Sequence, residues 1–121
     1  MMTREEALAY GMSFDNVYEE KPFRDPSWQL VRIKGSKKTF LWIYEREGYI
    51  NLNVKVNPEW RDFWRSTYES VTAGYHLNKE HWNTIILDGT IPDKDVKQMI
   101  AESYDIITDS PTKRIYEAVK T

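Results

Sequence analysis

The chain has 121 residues, with 17 basic and 19 acidic side chains and no cysteine. That length makes one domain able to bury a core without staples. The missing thiols exclude disulfides, thiolate metal sites and a cysteine nucleophile, and a net charge of −2 excludes a protein that coats nucleic acid by bulk charge.

The first ten residues carry Glu5 and Glu6 and no apolar run, unlike a signal peptide. Residues 40–44 are the longest apolar-rich stretch, far too short to span a bilayer. A single cytoplasmic domain over 1–121, without membrane attachment, is the expectation. The charge is uneven. Residues 27–83 hold nine basic and six acidic side chains and both histidines, whereas the flanking segments are net acidic. The middle is therefore where a positive face would lie.

Thr3-Arg4-Glu5-Glu6 is a capping box that opens a first helix over 3–11, with Gly11 as its stop. Residues 13–26, with Pro22 and Pro26, predict an ordered loop. From Trp28 the period changes to two. A strand over 28–34 is followed by a two-residue turn at Gly35-Ser36 and a second strand over 38–44. That strand has Phe40, Trp42 and Tyr44 on one side and Leu41 and Ile43 on the other. Residues 49–56 alternate most cleanly, with Ile50, Leu52, Val54 and Val56 opposite Tyr49, Asn51, Asn53 and Lys55. Asn57-Pro58-Glu59 starts a helix whose aromatic stripe, Trp60, Phe63, Trp64 and Tyr68, is expected in the core. Thr84 to Leu87 predicts a strand that pairs with this meander. A helix beyond Asp88-Gly89 has Val96, Met99, Ile100, Ser103 and Ile107 inward, and a last short helix is expected over 111–120. An antiparallel sheet covered on one face by helices, an α+β two-layer sandwich, is the fold class these elements define.

The segment from Gly74 to Thr84 holds both histidines amid hydrogen-bonding side chains. His76 and His81 are five apart, a spacing that does not share a helix face, and no cysteine completes a zinc set. No nucleophile–base order and no Gly-rich phosphate loop accompanies them, so the chain is expected not to be an enzyme. Two readings remain. The segment is structural, its side chains satisfying backbone groups in a tight loop. Alternatively it contacts anions or nucleic acid, with Lys79, His76 and Asn78 donating to phosphates. Asn51, Asn53 and Lys55 would then project from the nearby strand, and Arg32, Lys34, Lys37 and Lys38 would cluster on the first hairpin.

The run Tyr75-His76-Leu77-Asn78-Lys79-Glu80-His81-Trp82-Asn83-Thr84 resembles the signature of the MmcQ/YjbR family of small bacterial proteins. Glu20-Lys21-Pro22-Phe23, Lys38-Thr39-Phe40, Asn53-Val54-Lys55, Asp88-Gly89, Ile91-Pro92 and Glu102-Ser103-Tyr104 follow the same pattern across nearly the whole chain. The resemblance implies a fold similar to the bacterial frataxin (CyaY-like) class and DNA binding through a double-wing arrangement. Double-stranded DNA is then the expected partner, with no cofactor and no metal. The contact residues would be Arg32, Lys34, Lys37, Lys38, Asn53, Lys55, His76, Asn78, Lys79 and His81. Two alternatives stand beside it. One is a small-ligand, anion or metal-binding domain, in which Glu5, Glu6, Asp15, Glu19, Glu20 and Asp25 would hold a hard cation. The other is a protein-interaction domain, which an exposed patch including Trp28 or Trp42 would favour.

Overall fold

The computed structural model of the protein describes residues 2–108. The helix expected over 111–120 lies outside them. Nine elements follow in chain order: α1 (Arg4–Met12), β1 (Val17–Glu20), β2 (Gln29–Ile33), β3 (Thr39–Arg46), β4 (Tyr49–Lys55), α2 (Pro58–Thr67), β5 (Val71–Ala73), β6 (Trp82–Ile86) and α3 (Asp93–Thr108). The six strands form one antiparallel sheet in the order β1-β2-β3-β4-β6-β5.

α1 begins where the capping box requires. The Thr3 hydroxyl accepts from Glu6 N, and the Glu6 carboxylate accepts from Thr3 N. That pairing holds the Glu6 carboxyl below its usual range, with the Thr3 backbone N–H the main cause. Gly11 does not stop the helix, which runs through Met12. It lies buried against the sheet, where a Cβ would stand 2.7 Å from Leu41 Cδ2, so this glycine serves close helix–sheet approach. The expected loop over 13–26 contains β1, an edge strand whose Val17 pairs with Ile33. The β2–β3 turn is longer than two residues. Lys37 N donates to Ile33 O and Ile33 N to Lys38 O, with Gly35 and Lys37 both at positive φ.

The alternation in β4 is realised. Leu52 and Val54 are buried with Leu41, Ile43, Ile85, Val96 and Ile100 in the core between the sheet and the helices. Phe40 departs from the alternation of β3. A register shift at Val31/Arg32 precedes it, and its ring meets Phe14 and Tyr104 instead of Trp42. At this end of the sheet α3 is stitched between two strands. The Ser103 hydroxyl donates to Phe40 O (2.6 Å) and accepts from Lys55 N (2.8 Å).

The aromatic stripe of α2 is only partly core. Trp64 is buried, but Trp60 and Phe63 are 44% and 48% exposed. The opposite side of this helix, with Arg61 and Arg65, makes the tertiary hydrogen bonds.

Candidate functional site

Helices cover one face of the sheet. The other face carries Trp42 and Tyr44 from β3, Asn51 and Asn53 from β4 and Thr84 from β6, in register across the strands. Two loops fold over this face. The first joins β1 to β2; the second, residues 74–81, joins β5 to β6.

A polar knot inside the sheet pins the second loop. Asn53 is 1% exposed. Its Oδ1 accepts from the Tyr44 hydroxyl (2.8 Å) and from Thr84 Oγ1 (2.7 Å), and its Nδ2 donates to Tyr75 O (3.1 Å). Thr84 Oγ1 also accepts from Tyr75 N. Burial pushes the Tyr44 phenol above its ordinary pKa. From the far side α2 clamps the rest of the loop. Arg61 donates to Glu80 O; Arg65 donates to Lys79 O, to Trp82 O and to the buried Asn83 Oδ1. Desolvation pulls the Arg65 pKa down. Asn78 Oδ1 caps Glu80 N, a local turn bond of the kind expected from the sequence. His76 sits at φ +62°, in the left-handed region, immediately after Tyr75. The Tyr75 ring stacks on Tyr44 at 5.8 Å and lies under the Arg46 guanidinium at 4.1 Å.

Between the two loops and the sheet lies a cavity of about 390 Å³. Phe23, Asp25 and Trp28 line it from the first loop, Trp42 and Asn53 from the sheet, and Tyr75, His76 and Leu77 from the second loop. Trp28 stacks flat on Tyr44, 4.1 Å between centroids. Phe23 and Trp42 stand nearly perpendicular to Trp28, at 85° and 86°. The lining also includes two hydrogen-bonding groups with spare capacity. The Trp42 indole N–H is buried and has no partner among the described residues. Asn53 commits one N–H of its amide, to Tyr75 O, and the other has no described partner. Asp25 supplies the carboxylate. Its Oδ1 accepts from Ser27 N (2.9 Å), and that bond holds its pKa below the usual value, so the group is ionised at neutral pH.

The ten residues expected to meet nucleic acid divide into four groups. Lys34, Lys37 and Lys38 are exposed on the β2–β3 turn, Lys55 ends β4, and Lys79 and His81 are exposed on the 74–81 loop. The pairings Leu41–Val54 and Val54–Asn83 put the β2–β3 turn, the end of β4 and the 74–81 loop at one end of the sheet. None of these five lysines forms an ion pair with another described residue. Lys55 lies over the Trp82 ring and Lys79 Nζ donates to Gly74 O. Arg32 is engaged otherwise, paired with Glu20 at 2.8 Å and donating to Lys37 O. Asn53 is a correction: burial and its three hydrogen bonds make it a structural and cavity residue, out of reach of a phosphate. His76 and Asn78 are exposed, with His76 turned into the cavity lining.

The acidic residues proposed for a hard cation are dispersed. Glu6 caps α1, Glu19 accepts from Gln29, Glu20 pairs with Arg32 and Asp25 holds its own loop. Among the described residues no three His, Asp or Glu side chains converge as a metal would need, and no helix is long and apolar enough to cross a membrane. Trp28 and Trp42 are half-buried and line the cavity, so they form no open interaction patch. The cavity is not legible in the sequence because its walls come from segments some fifty residues apart. The one available signal is Trp42 beside Tyr44 on the side of the strand opposite Leu41 and Ile43.

Fold and site together define a class of small α+β domain with helices on one face of an antiparallel sheet and a loop-roofed aromatic cavity on the other. The chain belongs to the YjbR family, whose profile matches residues 12–106. It is 32% identical over 103 residues, 85% of each chain, to the Escherichia coli (strain K12) protein YjbR. To YyaQ of Bacillus subtilis (strain 168) it is 31% identical over 121 residues, 88% of this chain and 98% of that one. Both relatives are described as uncharacterized. A Deinococcus radiodurans crystal structure with a DUF419 domain superposes with a TM-score of 0.80 at 28% identity, over 89% of this chain and 80% of that one. A Pseudomonas syringae crystal structure shares the fold, with a TM-score of 0.78 at 21% identity over 88% and 99% of the two chains.

Proposed function

We propose that this protein is a non-catalytic cytoplasmic domain that contacts the phosphate backbone of double-stranded DNA through the lysine-bearing end of its sheet. The observation that carries this is the convergence of Lys34, Lys37, Lys38, Lys55 and Lys79 at one end without carboxylate partners among the described residues. Unneutralised lysines are the groups that displace counterions from DNA. The two projecting segments, the β2–β3 turn and the 74–81 loop, are centred about three strand spacings apart. At about 4.8 Å each that is about 14 Å, close to the ~12 Å width of a major groove. His81 and the amide of Asn78 would add phosphate donors on the second wing.

The test is fluorescence anisotropy of a labelled mixed-sequence duplex over a range of salt concentrations. Contact with three or four phosphates gives a log–log slope near about −3, and Lys37→Ala reduces its magnitude by about 1. A flat salt dependence overturns the proposal. A second reading, small-ligand binding, is favoured by the cavity, and the phosphate-contact proposal makes no use of it.

A further inference from the structure

We infer that the cavity between the two loops is a binding site for a nucleobase bearing both a carbonyl oxygen and a ring N–H, with guanine the best fit. Three features of the lining select that ligand. The walls are aromatic and offer flat faces and edges in two perpendicular orientations, with Trp28 set against Phe23 at 85° and against Trp42 at 86°. A planar ring stacks on such walls whatever its substituents. The sheet side has two donors that lack acceptors among the described residues, the buried Trp42 indole N–H and the second N–H of Asn53. A buried donor without an acceptor is costly, and a ligand carbonyl removes that cost. The loop side has one acceptor, the ionised Asp25 carboxylate, which suits a ligand N–H and repels an anion inside the cavity.

Size and polarity narrow the choice further. About 390 Å³ lies near the lower end of the range for ligand pockets, which suits one small ring system with a sugar at most. An organic cation would satisfy the aromatic walls and Asp25, but it has no acceptor for the two sheet-side donors. Guanine presents a carbonyl beside a ring N–H and an exocyclic amine, so one edge meets both kinds of group. The base-pairing edge of adenine has neither a carbonyl nor a ring N–H. The inference does not rest on phosphate contact by the lysine-bearing end, because bases in a duplex are paired and stacked.

The experiment is a titration of the ¹⁵N-labelled full chain, followed at the Trp42 indole N–H and the Asn53 side-chain amide. The probes are guanosine, adenosine, choline, and a short dG-containing single strand. Guanosine is expected to move both resonances saturably, with adenosine at least about tenfold weaker. Trp42→Phe keeps the ring and removes the donor; Asp25→Asn removes the charge at an exposed position. Each is expected to weaken guanosine at least about tenfold while the remaining amide spectrum stays native. Saturation by the single strand at the same resonances identifies a base presented by a strand; saturation by guanosine alone identifies a free nucleoside. Equal shifts with adenosine, a response to choline in place of guanosine, or no response to any probe overturns the inference. A duplex salt slope near −3 without a guanosine response would retain the DNA proposal and discard this one.

Discussion

Replacing Arg65 by alanine tests whether α2 holds the signature loop in place. The guanidinium makes three hydrogen bonds, one to the fully buried Asn83 Oδ1 (2.7 Å) and two to the carbonyls of Lys79 and Trp82. Stranding a buried acceptor costs about 1–3 kcal/mol, and the two carbonyl bonds lie close enough to water to be partly replaced. The expected loss is therefore about 2–4 kcal/mol, which for a domain of this size lowers Tm by roughly 8–20 °C. Urea unfolding reads the global loss and hydrogen exchange reads the local one, with amides of residues 78–82 losing protection first. Arg65→Lys keeps the charge but lacks the planar fork that spans three acceptors, so it recovers less than half of the loss. An unfolding free energy within about 0.5 kcal/mol of the parent, with unchanged exchange in the loop, would refute the clamp.

Gly74→Ala puts a Cβ 2.7 Å from Trp82 Cβ and 3.0 Å from Trp82 O; denaturant midpoints should show a loss of about 1–3 kcal/mol from overpacking. Ser103→Ala leaves Phe40 O and Lys55 N without their bridge, and the same measurement should show about 1–3 kcal/mol. The Tyr44 phenol is pushed up by burial, so the folded state keeps its proton at pH values where the unfolded state gives it up. The stability it contributes is complete below about pH 10 and is lost as pH rises through the folded value. Urea midpoints at neutral pH and at about pH 10.5 should therefore fall less in Tyr44→Phe than in the parent.

Local chemistry made much of the fold legible. The capping box at Thr3 and Glu6 and the period-two pattern of Ile50 to Val56 depend on neighbours a few residues away, and both elements form as expected. β1 is not legible in the sequence, because an edge strand of four residues between polar loops has too short a period to register. Helical spacing alone places Trp60 and Phe63 in the core, but α2 buries only the narrow stripe at Trp64. The basic end was legible residue by residue; its convergence was not, because it depends on strand order. Asn53 shows the limit most clearly. An asparagine on the polar side of a strand reads as exposed, because the partners that bury it here, the Tyr44 hydroxyl, the Thr84 hydroxyl and the Tyr75 carbonyl, lie nine, thirty-one and twenty-two residues away in sequence.

The Ser103 bridge also bears on how the chain is made. Its two partners lie 63 and 48 residues earlier in sequence. As the chain leaves the ribosome, β3 and β4 can pair along most of their length, but the end beyond Leu41 and Val54 has no fastener until α3 has emerged. Folding therefore completes late in synthesis, because a nascent chain that stops before α3 leaves the Phe40 and Lys55 end of the β3–β4 pair without its bridge.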